Sequence, residues 1–214
     1  MVAAKARLVE TLDGYLHQLA STQPTPGGGS AAAIVGALGA ALVAMVARIC
    51  ASNPTYAAHR ESALAIGSHA DGVRDALSQA RQRDESAYAA VVAAQALPRE
   101  SDGDRARRRT ALESALSDAA QAPLDACGSC VEVLRLCVRL LEIPNRALAG
   151  DVGCATEFGY AAAAACAYNV RINHRYMKDG AAVERQDRRL QRLQSEAGAL
   201  LERTRVAVAG TIAR

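Results

Sequence analysis

The chain has 214 residues, a net charge of +3 and 50% hydrophobic residues, but only 3% aromatics. That length fits one domain with its own core, and a core so poor in rings must pack on Ala, Leu and Val at close helix separations. The small positive charge lacks the basic stripe of a nucleic-acid binder. Residues 1–10 hold no apolar run of signal-peptide length, so a cytoplasmic protein is expected.

Alanine is the strongest helix former, and six prolines leave room for long helices. The expected fold is therefore all-α: a single domain over residues 1–214, built as a bundle of about six long helices around a buried Ala/Gly-rich central helix. The first helix is predicted over residues 3–19, with Leu8, Leu12, Leu16 and Leu19 as an apolar stripe. Pro24, Pro26, Gly27, Gly28 and Gly29 then interrupt it, and Ser30 is placed as the N-cap of the second helix. That helix, to about residue 51, has no polar face to offer water and is expected to be enclosed by its neighbours. Its uncharged stretch of residues 31–47 nears the length of a membrane span. Alanine drives insertion weakly and no aromatic belt flanks it, so a buried helix with no membrane contact is expected.

A third helix is predicted over residues 55–97, with Leu64, Val73 and Leu77 inward and a bend near Gly67 or Gly72. A polar turn at 98–104 leads into a fourth helix from Asp104, with Leu112 and Leu116 inward. Pro123 should kink it without ending it, so that it continues through Val131, Leu134 and Val138. After a linker at 144–150, a fifth helix runs over residues 151–177 with Asp151 as N-cap. The sixth, over 182–209, turns Leu190, Leu193, Ala197, Leu200 and Leu201 to the bundle. The run Arg105, Arg107, Arg108, Arg109 reads as a solvated helix face, since no aromatics interleave with it. Cys50, Cys127, Cys130, Cys137, Cys154 and Cys166 complete neither a zinc set nor an evident disulfide framework, and read as small buried hydrophobes in a reducing compartment.

Four features carry candidate chemistry. The Gly27–Gly29 turn leaves amide N–H groups at the positive end of a helix dipole, where a carboxylate or phosphate fits; a plain tight turn explains the same residues. Asp84 stands among Ala and Val. Turned inward, it would lose solvent and gain a pKa suited to proton exchange; turned outward, it would pair with Arg81 or Arg83. Asn145 and Asp151 flank the start of the fifth helix, where capping alone accounts for the aspartate. Asn169 and Asn173 share one helical face, and bond either to neighbouring backbone or to a ligand.

Taken together, Pro24-Thr25-Pro26-Gly27-Gly28-Gly29-Ser30, the Gly36 to Val46 stretch, Asp84 with Ala87-Tyr88 and Leu97-Pro98, Pro123-Leu124, Asn145, Asp151 and Asn169-Val170-Arg171-Ile172-Asn173 resemble the formimidoyltetrahydrofolate cyclodeaminase and methenyltetrahydrofolate cyclohydrolase family. The matches run in the same order from about residue 11 to 180. The resemblance implies a one-carbon folate enzyme working by acid–base catalysis with no metal or other cofactor, as a homodimer with its sites near the subunit contact. It implies Asp84 and Asp151 as the catalytic carboxylates. Gly27, Gly28, Gly29, Ser30, Tyr56, Asn145, Asn169 and Asn173 would contact substrate.

The chain also departs from that family. A lysine-rich Gly-Lys-Lys-x-Tyr segment is replaced by Ser52-Asn53-Pro54-Thr55-Tyr56, which removes a cationic tether for the glutamate tail. Two rival expectations follow. A homologous acid–base enzyme would act on a non-folate nitrogenous substrate. A non-catalytic scaffold would turn Asp84 and Asp151 to solvent or use them only as caps.

Overall fold

Helices make up nearly all of the computed structural model, which describes residues 11–213. In chain order they are α1 (Leu12–Leu19), α2 (Gly28–Ser52), α3 (Arg60–Gln95), α4 (Asp102–Leu140), α5 (Ala149–His174) and α6 (Gly180–Ile212), with short 3-10 turns at Pro54–His59 and Arg146–Leu148. No strand occurs among the described residues. The expected residues 3–10 of the first helix, Leu8 included, lie outside them.

The centre of the bundle is α2, packed against α3, α4 and α5, while α6 closes the far side over α4 and α5. Small residues set the spacing. A Cβ on Gly36 would lie 2.8 Å from Cys130 Sγ, and one on Gly39 would lie 3.1 Å from the Ala155 carbonyl oxygen. Neighbouring helices therefore reach the α2 backbone itself, which is how a core with so few rings fills its volume. Cys50, Cys127, Cys130, Cys137 and Cys166 are buried and free, and burial pushes the Cys127 and Cys137 thiols up to about 12. Cys154 departs from the expectation and is exposed.

Three expectations about faces need correction. Leu12 and Leu16 are 67% and 49% exposed, whereas Tyr15 is buried, because its hydroxyl joins a polar chain inside the bundle. Leu64 is likewise exposed, while Val73 and Leu77 point inward as expected. The central helix is long and apolar enough to cross a membrane and is largely buried, yet it is not enclosed all round. Leu38, Met45 and Ile49, at spacings of seven and four, form an open apolar stripe along it.

Helix ends have identifiable causes. Asn53 accepts a bond from the Thr55 N–H at 2.9 Å and starts the 3-10 turn, so α3 begins at Arg60 and then runs unbroken past Gly67 and Gly72. Ser101 and Asp104 form a reciprocal capping box, which starts α4 at Asp102. The arginine run does more than meet solvent: Arg105 donates to the Arg99 and Glu100 carbonyls and Arg108 to the Gln95 carbonyl, which fastens the turn between α3 and α4. Leu148, not Asp151, caps α5, and Asp151 falls in the first turn, where a carboxylate favours the helix dipole. Along α6 the inward stripe is as expected, with Leu190, Ala197 and Leu201 buried.

Candidate functional site

The N-terminus of α2 organises the site. Its cap is Gly27, two residues before the glycine run ends, which has no side chain of its own to bond the first turn. Ser30 lies inside the first turn instead, fully buried, and its hydroxyl donates to Glu85 Oε1 at 3.2 Å. With that single proton spent, Ser30 Oγ accepts from the Tyr15 hydroxyl at 3.0 Å. The chain Tyr15, Ser30, Glu85 locks α1, α2 and α3 together at this end.

Asp84 occupies the place at the glycine turn where a bound anion was expected. Its carboxylate accepts the Ser30 backbone N–H, and a Cβ on Gly29 would lie 2.6 Å from its Cγ and 2.7 Å from Oδ2. The protein thus supplies its own carboxylate to the helix N-terminus, and Gly29 is required for that approach. Neither arginine expected beside Asp84 pairs with it: Arg81 contacts Glu85 at 3.5 Å and stacks over the Tyr15 ring, and Arg83 donates to the Ala76 carbonyl. Burial raises the Asp84 pKa above the ordinary carboxylate value, the Ser30 N–H offsets part of that rise, and the Glu85 charge adds to it.

Asp84 faces a cavity of about 640 Å³ bounded by the α2 N-terminus, α3, α4, α5 and the segment after α5. That size suits a small organic ligand. Gly27, Gly28, Gly29, Asn169 and Asn173 line it with Asp84, and Tyr88 and Tyr176 add ring faces. Asn169 stands beside Gly28, where a Cβ would lie 3.7 Å from both ends of its carboxamide.

The two asparagines serve both roles that their spacing left open. Asn169 Nδ2 donates to the Ala165 carbonyl at 3.0 Å. Asn173 Nδ2 donates to the Asn169 carbonyl at 2.8 Å and to the Ala119 carbonyl at 3.0 Å. The second bond repairs a specific defect. Pro123 has no N–H for the carbonyl four residues back, which is that of Ala119, and Asn173 supplies the missing donor from α5. This allows α4 to continue through its proline to Leu140. Because carbonyls only accept, the amide orientations are fixed, and both Oδ1 atoms remain as acceptors for a ligand.

The remaining expected site residues lie at the other end of the bundle. Asn145 Nδ2 contacts Cys50 Sγ at 3.2 Å, and Cys50 is 21 residues along α2 from Gly29, or ~30 Å at the helical rise. Tyr56 follows the α2 C-terminus, and Asp151 lies 18 residues before Asn169 on α5, ~27 Å away. Within one chain Asp151, Asn145 and Tyr56 therefore do not share a cavity with Asp84. Sequence order brought the two groups together; alternating helix directions separate them.

Sequence reasoning missed Gln95, Arg175 and Lys178, which also line the cavity. Lys178 did carry a signal, since it and Lys5 are the only lysines in an arginine-rich chain. Among the described residues, no three His, Cys, Asp or Glu side chains converge as a metal site.

Comparison with known proteins gives a consistent set of relatives. The sequence profile of the formiminotransferase-cyclodeaminase family matches residues 11–192. The chain is 37% identical to the methenyltetrahydrofolate cyclohydrolase of Methylorubrum extorquens over 194 residues, covering 91% of this chain and 93% of that one. It is 31% identical to the formimidoyltransferase-cyclodeaminase of Mus musculus over 87% of its length, but spans only 35% of that longer protein. In fold it superimposes on the crystal structure of formiminotetrahydrofolate cyclodeaminase from Thermotoga maritima with a TM-score of 0.86, covering 94% of this chain and 97% of that one at 24% identity.

Proposed function

The chain belongs to the formiminotransferase-cyclodeaminase family, and on that premise we propose that it is a one-carbon folate enzyme, a methenyltetrahydrofolate cyclohydrolase with Asp84 as its proton-transferring group. The observation that carries this reading is the Asp84 carboxylate, partly desolvated, on one wall of a ligand-sized cavity with Asn169 and Asn173 on another.

The substrate carries a cationic carbon between two nitrogens. Water attacks that carbon while Asp84 takes one of its protons, which gives a neutral tetrahedral carbinolamine. Asp84 then returns the proton to the departing nitrogen, the carbon–nitrogen bond breaks, and the hydroxyl proton leaves to solvent as the formyl group forms. A carboxylate that only attracted the cation would bind the ground state and gain little rate. Its catalytic value lies in the two proton transfers, for which a pKa raised from the ordinary aspartate value is an advantage. The Asn169 and Asn173 Oδ1 atoms accept from the N–H edge of the pterin, and Tyr88 and Tyr176 offer ring faces to it.

The 31% identity to the bifunctional mouse protein favours a second reaction at the same residues. In it, formimidoyltetrahydrofolate closes to the methenyl compound and ammonia departs through the same kind of tetrahedral carbon. The two are separated by following methenyl absorbance, which falls in the first reaction and rises with ammonia release in the second. Acceleration of either supports the folate reading. Acceleration of neither, with no folate binding, returns the chain to a non-folate enzyme or a scaffold.

We further propose acid–base catalysis by side chains without a cofactor, a cytoplasmic location and a homodimer. The dimer is supported by the open Leu38, Met45 and Ile49 stripe on α2, which a second copy would cover. Any part played by Asp151, Asn145 and Tyr56 in the chemistry would have to come across such a contact.

A further inference from the structure

We propose that Arg175 and Lys178 form a carboxylate-binding pole of the cavity and hold the glutamate tail of the substrate, an assignment that rests on the folate reading above. Among the described residues that line the cavity, three carry charge: Asp84, Arg175 and Lys178. They are separated by position. Asp84 lies against Gly29 and Asn169 against Gly28, whereas Arg175 follows the end of α5 and Lys178 sits in the loop before α6. Six residues of helical rise separate Asn169 from Arg175, or ~9 Å. The cavity is thus acidic at one end and basic at the other.

Both cations are available. Neither side chain makes an ion pair or a hydrogen bond among the described residues. The neighbouring acids are already engaged with backbone. Glu113 accepts the Lys178 N–H at 2.8 Å and 2.9 Å and the Asp179 N–H at 2.8 Å, and Asp179 caps α6 through the Ala182 N–H at 3.0 Å. These bonds fix the loop that presents Lys178, but they leave its ammonium group and the Arg175 guanidinium unpaired.

A folate carrying a one-carbon cation has matching polarity. Its cationic carbon lies at the pterin end, and its carboxylates lie beyond the aminobenzoyl group. Bound with the cation toward Asp84, it places the carboxylates toward Arg175 and Lys178. The reverse orientation brings carboxylates against Asp84 and a cation against two cations. The pair therefore sets the direction of binding as well as adding to it.

The test uses the full chain and two substrates: methenyltetrahydrofolate, and the analogue in which the aminobenzoyl group ends without glutamate. Wild type should show higher kcat/KM on the tail-bearing compound. In Arg175→Gln/Lys178→Gln that preference should fall roughly tenfold, mainly through KM, the size two solvent-screened ion pairs support. Added salt should shrink it in wild type, and Arg175→Lys/Lys178→Arg should retain it. A preference undiminished in the Gln variant, or absent from an active wild type, overturns the assignment while leaving the folate reading in place. A wild type inactive on both compounds removes the folate reading and this assignment with it.

Discussion

The two ends of α2 hold much the same kinds of residue and do different things with them. At the N-terminal end, Gly27–Gly29 admit the Asp84 carboxylate to the helix terminus, and two asparagines whose amide nitrogens donate to backbone carbonyls line a cavity. At the C-terminal end, Asn145 is held by a cysteine, its buried Oδ1 has no partner among the described residues, and Asp151 supports the start of α5. An acid and amides are not sufficient for a site. What distinguishes the first end is glycine at the point of closest approach, together with a carboxylate that gives up solvent beside a ligand-sized space.

Substitutions can break that contrast in order of size. Asp84→Asn keeps an oxygen for the Ser30 N–H but cannot transfer the proton, and methenyl consumption should fall about 10²- to 10⁴-fold with the helical circular dichroism unchanged. Gly29→Ala drives a Cβ into the same carboxylate and should cost on the order of 10²-fold by moving it, with Asp84 itself intact. Asn173→Ala orphans the buried Ala119 carbonyl, so thermal or urea unfolding should report a loss of about 1–3 kcal/mol along with a raised KM. Adding Pro123→Ala, which restores a backbone N–H, should recover part of the stability but not the KM. The smallest effect belongs to the other end: Asp151→Asn removes a favourable first-turn charge, worth about 0.3–1 kcal/mol, and should leave kcat within a few-fold. A loss as large as that of Asp84→Asn would instead bring Asp151 into the chemistry across a subunit contact.

Much of this was legible in the sequence because helix periodicity and proline or glycine punctuation act locally. The six helices, the inward stripe of α6 and the continuation of α4 past Pro123 follow from such signals. The failures are tertiary. Leu12 and Leu16 had the spacing of a core stripe, but the buried position went to Tyr15, whose hydroxyl completes a chain with Ser30 and Glu85. Ser30 had the chemistry of an N-cap, but Gly28 and Gly29 enter the helix before it, and the Asp84 carboxylate, 54 residues away, meets its amide. Asn173 and Pro123 each looked like a local defect; only the packing of α5 on α4 makes one the remedy for the other. Asp84, Asn169 and Asn173 line one cavity, while within one chain ~30 Å of helix separates them from Asp151, Asn145 and Tyr56, a distance that local sequence signals do not carry.

Burial is the largest influence on Asp84, so its folded pKa lies above the unfolded one. Its contribution to stability is fully present below the unfolded pKa and is lost as pH rises through the folded value, where the carboxylate ionises in a poorly solvated place. Asp84→Asn should therefore gain stability relative to wild type as pH rises over that window. Activity has the opposite dependence, because water addition needs the ionised form. The most direct measurement is kcat/KM for methenyl consumption against pH in wild type and in Asp84→Asn, corrected for the uncatalysed reaction. The wild-type rate should fall as pH drops through an inflection shifted up from the ordinary aspartate value, and the small residual rate of the variant should lack that inflection. The same inflection in both proteins, or a variant as fast as wild type, would contradict the role assigned to Asp84.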